Sequence, residues 1–504
     1  MQERSERGAE QTSHGEVTAS EHRRAALRAE GDAPGELRPE ERSERGAEQM
    51  KHGEATASEH RRAALRAEGD APGEVRPELR GPREDAELAE RFRGVQVRSE
   101  RGAEQRRPVV ALVGSGERVV LAARRHGFQT LLVGARHPLK AAAIRAADWT
   151  VVCDYTDPAE LASLLRAVHA WRPLDHVYSF TEYGQVPAAL AAAALGVDGG
   201  APLAAELARD KYAMRRHLAS SGLPATRYDR CTCPDDLLAF GAAAGWPVVL
   251  KVADGTGKDG VRLVPSPAAA PAAYAAVAAA VPGRALLVEE YHDGPEVSVE
   301  TLSFGGTHHV LAVTDKETSG PHFNETGHTM PSRLDPAAQQ AIRDTTVALL
   351  DNLGVRNAIC HTEIRHTVGG PRIIETHTRP GGDNIRDLLR LSAGIDIYDT
   401  FFGLLAGKPF TPPAALRQAA AIRFLTPSGG RVTSVSGVSR ALRMPGVEDV
   451  DVAVEAGDLA PEPTGNQHRC GHVIAVGGTA AEAAARADAA RAAIAITTQK
   501  ERAG

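Results

Sequence analysis

Residues 361–383 read His361-Thr-Glu363-Ile-Arg-His-Thr-Val-Gly369-Gly370-Pro371-Arg-Ile-Ile-Glu375-Thr-His377-Thr-Arg379-Pro-Gly381-Gly382-Asp383, an alternating strand, a Gly-Gly-Pro turn and a second alternating strand. Opposed positions of an antiparallel hairpin keep a nearly constant index sum. With the turn centred on Gly369, Glu375 faces Glu363. Side chains repeat with period two along a strand, so His361 shares the Glu363 face while His377 and Arg379 share that of Glu375. The intervening Ile364, Ile373 and Ile374 suit burial. Two carboxylates directly opposed repel each other unless a cation lies between them, and hard oxygen donors are what magnesium prefers. The hairpin therefore reads as a magnesium site, against the plainer reading of a surface hairpin with solvated acids.

The elements that must position this hairpin lie upstream. Val109 to Arg118 is an apolar strand running into the turn Gly114-Ser115-Gly116, followed by a helical stretch from Val119 to His126 and a strand from Thr130 to Val133. Further strands at 150–153 and 176–180 alternate with helical stretches at 159–170 and 187–195, the pattern of an α/β domain with a parallel sheet. Gly114 and Gly116 begin a dinucleotide fingerprint, but Val119 stands where its third glycine belongs. Glu182 follows the last of these strands, at the carboxyl edge where open α/β sheets bind ligands, and is a candidate substrate contact.

The helix from Asp210 to Leu218 carries Lys211, whose ammonium points either at a ligand or at water. The strand Trp246 to Lys251 ends in a lysine and enters the glycine-rich stretch Gly255-Thr256-Gly257-Lys258-Asp259-Gly260. Glycines let backbone amides approach phosphate, and a lysine on the preceding strand supplies a point charge. This is not a Walker loop, because Asp259 follows Gly257-Lys258 where that motif needs Ser or Thr. Next come Glu289-Glu290-Tyr291-His292-Asp293-Gly294-Pro295-Glu296, with strands on either side of a Gly-Pro turn and Ser298 and Glu300 on the Glu296 face. Acids here can accept hydrogen bonds from an adenine amino group or from ribose hydroxyls.

Composition limits the partners. The 504 residues allow two or three domains, and 42% hydrophobic with 4% aromatic residues means cores of Ala, Val, Leu and Ile. A net charge of -6 offers no basic field for nucleic acid. Five scattered cysteines, Cys153, Cys231, Cys233, Cys360 and Cys470, read as reduced thiols. The chain opens without an apolar signal core, and no run approaches the roughly 20 apolar residues of a membrane span, so a soluble cytoplasmic protein is expected.

Glu3 to Gln11 returns almost verbatim as Glu41 to Gln49, a period of 38 residues (41 − 3), and Arg98 to Gln105 begins a third copy. No Phe, Trp, Tyr or Ile occurs before Phe92, so residues 1–106 lack the apolar surface to offset ordering entropy, and a disordered extension is expected. The near-identity of the copies resembles a recent duplication and points to a dispensable segment, of the kind an over-extended start assignment produces.

Taken in order, Lys211, Lys251 with its glycine loop, Glu289 to Glu296, and the strands of Glu363 and Glu375 resemble the ATP-grasp superfamily. Within it, Val313-Thr-Asp-Lys316, the stretch Pro321 to Pro331 with His322 and His328, and Arg379 to Asp383 are similar to the L-amino-acid ligases. So are the tail stretches Gly429 to Val438 and Arg469 to Gly478. The resemblance, spanning about residues 108 to 500, implies an α/β (α+β) architecture. Its parts are a Rossmann-like pre-ATP-grasp domain at 107–205, an ATP-grasp domain at 206–410 with a lid at about 222–288, and a β-rich C-terminal subdomain at 411–504.

The resemblance also implies roles. Lys211 and Lys251 hold ATP phosphates beneath the loop of Gly255, Thr256, Gly257 and Gly260, Glu289 meets the adenine amino group with the backbone of Glu290 and His292 beside it, and Glu296 takes ribose. Glu363 and Glu375 carry magnesium. His377 stands where the superfamily usually has Asn, so its metal role is open, or the site tolerates manganese, since imidazole is the softer donor. Arg379 balances charge on an acyl phosphate, with Lys251 contributing. Glu182, Lys316, His322, His328, Gly381, Gly382 and Asp383 are the substrate-pocket candidates. The implied reaction joins a small carboxylate to an amine, both amino acids, with release of ADP, in a homodimer. The rivals are a ligase activating bicarbonate or formate, and an ATP-binding protein without turnover.

Overall fold

The computed structural model describes residues 106–135, 139–254 and 260–500, all within one compact unit, Glu87–Gly504. The expectation of disorder before residue 106, and those for Gly255, Thr256 and Gly257, lie outside the described residues. The first sheet holds β1 (Val109–Val113), β2 (Gln129–Gly134), β3 (Trp149–Val152), β4 (His176–Ser179) and β5 (Asp198–Gly199), in the order β3-β2-β1-β4-β5. Every pairing in it is parallel, as the alternation of apolar strands with helices predicts. Strand β1 is buried at all five positions, because helices cover both faces of a parallel sheet. Beyond β4 the chain turns at Glu182, at the carboxyl end of the strands.

A separate antiparallel sheet follows, of β6 (Tyr228–Cys231), β7 (Val248–Val252), β8 (Arg262–Val264) and β9 (Leu286–Glu290), in the order β6-β9-β7-β8. Val248, Leu250, Val264 and Val288 are fully buried beneath its two helices. Each such side chain contributes about 1.5–3 kcal/mol relative to exposure, so this small layer holds its own shape.

The largest sheet begins with β10 (Glu296–Phe304), β11 (Thr307–Ser319), β12 (Asn324–Met330), β13 (Ala358–Thr367) and β14 (Gly370–His377). It continues into β15 (Ala419–Phe424), after which come β16 (Gly430–Ser436), β17 (Val447–Val452), β18 (Leu459–Ala460), β19 (Gly471–Gly477) and β20 (Ala495–Gln499). The order β14-β13-β10-β11-β12-β15-β19-β17 runs eight strands across, while β18-β16-β20 form a sheet of their own. Residues 411–500 thus extend the central sheet as much as they build a β-rich layer, because β15 pairs with the edge of β12 opposite β11. Among the described residues no helix is long and apolar enough to cross a membrane.

The predicted hairpin forms with Glu363 opposite Glu375 and His361 opposite His377. The constant register stops there, since a bulge after Glu363 pairs Ile364 with Ile373 instead of Ile374. Ile364 and Ile373 are fully buried, whereas the displaced Ile374 is half-buried. The turn is the two-residue link Val368-Gly369, and Gly370 resumes the strand at φ 92°, a conformation that glycine adopts without a Cβ penalty.

Candidate functional site

One sheet face collects the chemistry. Across β10 and β13 the register opposes Glu296 to Arg365, Ser298 to Glu363 and Glu300 to His361, and β11 adds Lys316 opposite Glu296. Partners in register point to the same side, so acids and bases from four neighbouring strands face one cleft. Two cavities open on it. One is lined by Lys211, Lys251, Glu289, Glu290, His292 and Glu296, the other by Lys316, His328, His377, Arg379, Gly382 and Asp383. Glu363 and Glu375 line both, so the opposed carboxylates stand where the two cavities meet.

In the first cavity Lys251 and Glu289 are buried and ion-paired, with Nζ 2.6 Å from Oε2. Glu289 is further held by Arg215, Nε to Oε1 at 2.8 Å. Burial raises the Glu289 carboxyl, but Arg215 and then Lys251 overcome it and hold it at about 2. Burial pulls Lys251 down to about 8, since Glu289 only partly offsets desolvation and the charges of Arg215 and Lys211. The carboxylate expected to meet an adenine amino group thus already serves two cations. Arg215 also donates to the Ile374 carbonyl at 2.8 Å and ties the helix Lys211–Ser221 to the hairpin. It was not singled out from the sequence, yet its signal was there, four residues after Lys211 on the same helical face. The Glu290 carboxylate is taken up by Arg227, Nε to Oε2 at 3.1 Å, and His292 Nε2 lies 2.9 Å from Thr226 Oγ1. Gly260 is in a left-handed turn at φ 72°.

At the junction each opposed carboxylate draws an ammonium. Lys211 Nζ is 3.3 Å from Glu375 Oε2, and Lys316 Nζ bonds Glu363 Oε1. Lys316 is also 3.3 Å from Glu296 and 3.1 Å from Glu325, and these three acids outweigh its burial and raise its pKa well above the usual lysine value. His361 lies under the junction, Nδ1 2.7 Å from Glu300 Oε1 and Nε2 3.4 Å from Glu363 Oε1. Burial lowers its pKa, but Glu300 and Glu363 prevail and lift it to about 9. His377 Nε2 is 3.2 Å from Glu375 Oε1, and its Nδ1 is 3.7 Å from Glu182 Oε2.

Two carboxylates in register that already demand positive charge fit a hard divalent cation. They do not yet close on a point with His377. Among the described residues, the group whose ligand atoms all lie within 4.8 Å of one another is Glu325, His328 and Asp383. That group is supplied with cations by the protein itself, with Arg469 2.7 Å from Asp383 and Lys316 3.1 Å from Glu325.

In the second cavity Arg379 Nε and Nη2 are 2.7 Å and 2.6 Å from Glu182 Oε2, while Arg209 holds Glu182 Oε1 at 2.8 Å. Burial raises the Glu182 carboxyl, but His377 and Arg379 keep it below the ordinary value. Gln185 Oε1 accepts from both the amide and the hydroxyl of Thr378, so the start of the helix after β4 grips the residue just before Arg379. Gly381 is buried with its amide 3.4 Å from Glu300 Oε2, and a Cβ there would lie 2.8 Å from His361 Nδ1. Asp383 follows at φ 53°, outside the usual range for a side-chain-bearing residue. His328 is fully buried, Nε2 3.3 Å from Asp383 Oδ2. His322, expected in this pocket, instead donates to the Val261 carbonyl, Nδ1 to O at 3.0 Å, beside β8.

Residues 244–387 match the ATP-grasp domain model, residues 120–199 the ATP-grasp N-terminal domain, and residues 423–499 the L-amino acid ligase C-terminal domain 2. The chain is 28% identical over 269 residues to the alanine–anticapsin ligase of Bacillus subtilis, covering 49% of this chain and 57% of that protein. It is 29% identical over 303 residues to carnosine synthase 1 of Gallus gallus, covering 56% and 32%. The matches therefore span less than two thirds of these curated relatives. The crystal structure of an L-amino acid ligase from Bacillus licheniformis superposes with a TM-score of 0.66 at 22% identity, covering 79% of this chain and all of that one.

Proposed function

We propose that this chain, an ATP-grasp protein by its domain matches, is a carboxylate–amine ligase that joins small amino acids with ATP as the energy source. The observation that carries the reading is the position of Glu363 and Glu375 at the meeting point of two cavities, one rich in lysine and acid and the other holding Arg379. A phosphoryl group passed between two bound molecules must cross such a point.

In this reading the substrate carboxylate oxygen bonds to the γ-phosphorus of ATP as the bond from that phosphorus to the ADP oxygen breaks. The amine nitrogen then bonds to the carbonyl carbon of the acyl phosphate, phosphate leaves, and the proton of the amine passes to solvent or phosphate. Lys211 and Lys251 bind the phosphates, and Glu289, Glu290 and His292 border the base. Glu296 accepts from the ribose. Glu363 and Glu375 would hold magnesium, with His377 supporting Glu375, and the ion would supply positive charge opposite the phosphates. Arg379, aimed by Glu182 and flanked by the Gln185 contact to Thr378, faces the oxyanion of the tetrahedral intermediate. Lys316, His328, Gly381, Gly382 and Asp383 shape the acid pocket. His322 acts at the lid, where β6 to β9 exclude water that would hydrolyse the acyl phosphate.

The relative named as a ligase of alanine and anticapsin supports amine ligation over bicarbonate or formate activation. A cytosolic setting is part of the same reading, supported by the five free cysteines. The test is nucleotide release with magnesium and pooled L-amino acids, each pool run with and without bicarbonate. Pool-dependent ADP with phosphate is expected. AMP with pyrophosphate, or ADP that depends on bicarbonate alone, would overturn the assignment, and binding without turnover in every pool would favour a nucleotide-binding protein.

A further inference from the structure

The nucleotide cavity holds a cation that these roles leave unused. Arg365 is 8% exposed, lies two residues beyond Glu363 on the same face of β13, and lines the cavity. Its Nη2 is 2.6 Å from Glu296 Oε2, and its Nη1 donates to the Gly294 carbonyl at 3.2 Å and the Tyr291 hydroxyl at 3.4 Å. The guanidinium carbon lies 5.4 Å from the Tyr291 ring centre and 5.5 Å from that of Phe323, rings themselves stacked at 6.2 Å. Phe323 adopts φ 54° to take this position, a costly conformation for an aromatic residue. Charge and plane of Arg365 are therefore fixed from several directions.

A guanidinium carries five N–H donors, and the described residues offer this one three acceptors. A donor in reserve thus sits beside the acid assigned to ribose. A carboxylate alone can only accept from a hydroxyl, whereas a carboxylate joined to a guanidinium can accept from one hydroxyl and donate to the oxygen of its neighbour. Two adjacent hydroxyls on a ring present that complementary pattern.

We propose that Arg365 is the donor half of a ribose-reading pair with Glu296, and that it makes this chain prefer ribonucleotides to deoxyribonucleotides. The inference rests on the assignment of ATP to this cavity made above. The expected preference is moderate. When a hydroxyl is missing, Glu296 and Arg365 remain bonded to each other, so one charge-assisted hydrogen bond is lost and no buried charge is stranded; this corresponds to about tenfold in affinity.

The test measures dissociation constants of ADP, 2′-deoxy-ADP and 3′-deoxy-ADP by calorimetry with magnesium, for the wild type, Arg365→Met and Arg365→Lys. The wild type should bind at least one deoxynucleotide about tenfold more weakly than ADP. Arg365→Met should weaken ADP while hardly changing the deoxynucleotide that lacks the oxygen Arg365 donates to, so that the ratio of those two affinities falls towards one. Arg365→Lys keeps a charge opposite Glu296 but loses the fork, and should lower the same ratio even if the Met variant fails to fold. Equal wild-type affinity for all three nucleotides, or an unchanged ratio in the lysine variant, overturns the proposal. A wild type that binds none of the three overturns the nucleotide assignment itself, which separates the two failures.

Discussion

Raising the pH from 7 to 9.5 should remove one positive charge from the nucleotide cavity, because Lys251 has a pKa of about 8 there. The cause is local. Lys251 is buried, Arg215 already serves the Glu289 carboxylate at 2.8 Å, and the charges of Arg215 and Lys211 crowd the ammonium from the same side. Phosphate oxygens favour the charged lysine, so nucleotide binds tightest below the pKa of the free protein and weakens above it. Each unit beyond about pH 8 costs a factor approaching ten, and from 7 to 9.5 the loss is about 30-fold, or about 2 kcal/mol. Calorimetry of ADP binding at pH 7, 8, 9 and 9.5, in two buffers of different ionisation enthalpy, gives both the affinity and the protons taken up. Uptake of about one proton should appear above pH 8. In Lys251→Arg the charge does not titrate, and the profile should lose the part of the fall that Lys251 causes. His361, at about 9, titrates in both proteins, so the difference between them isolates Lys251. A flat wild-type profile, or the same slope in Lys251→Arg, would refute the reasoning.

Arg379→Ala should lower kcat by about 10²–10³ with a smaller effect on KM, and Glu182→Gln should cost less because it misaims the arginine without removing it; steady-state kinetics of both variants decide this. Glu375→Gln and Glu363→Gln should each abolish ADP formation while circular dichroism stays unchanged, since Lys316 keeps Glu296 at 3.3 Å and Glu325 at 3.1 Å; turnover retained in both would sink the metal assignment. Chelation by EDTA should stop the reaction and added magnesium restore it, with manganese a working substitute. Gly381→Ala places a Cβ 2.8 Å from His361 Nδ1, and should lower kcat at least tenfold by shifting the Arg379 turn, with little change in Tm. A chain beginning near Arg106 should keep full activity in the ADP-release assay.

Features set by neighbours in sequence were legible before the fold. The parallel first sheet follows from strands and helices alternating along the chain, and Glu363 opposite Glu375 follows from period two and the turn. The bulge that pushes Ile374 out of register was not legible, because a hairpin with and without one extra residue shows nearly the same alternation. His322 and His328 shared one loop-like stretch in the sequence, yet β12 carries His328 to Asp383 in the second cavity while His322 stays by Val261 beside β8. A step of 3.2–3.4 Å per residue along a strand is enough to separate two subsites.

The sequence by itself determined which residue types could do phosphate and metal chemistry, the order in which they occur and the strand face each occupies, because these depend on local periodicity and turn chemistry. Tertiary structure decided how their charges are answered. Arg215 reaches Glu289 across 74 positions, Glu182 reaches Arg379 across 197, and Lys316 gathers carboxylates from three other strands. Such partners are chosen by the cost of burying an unpaired charge, which depends on everything packed around it, and no spacing along the chain encodes that.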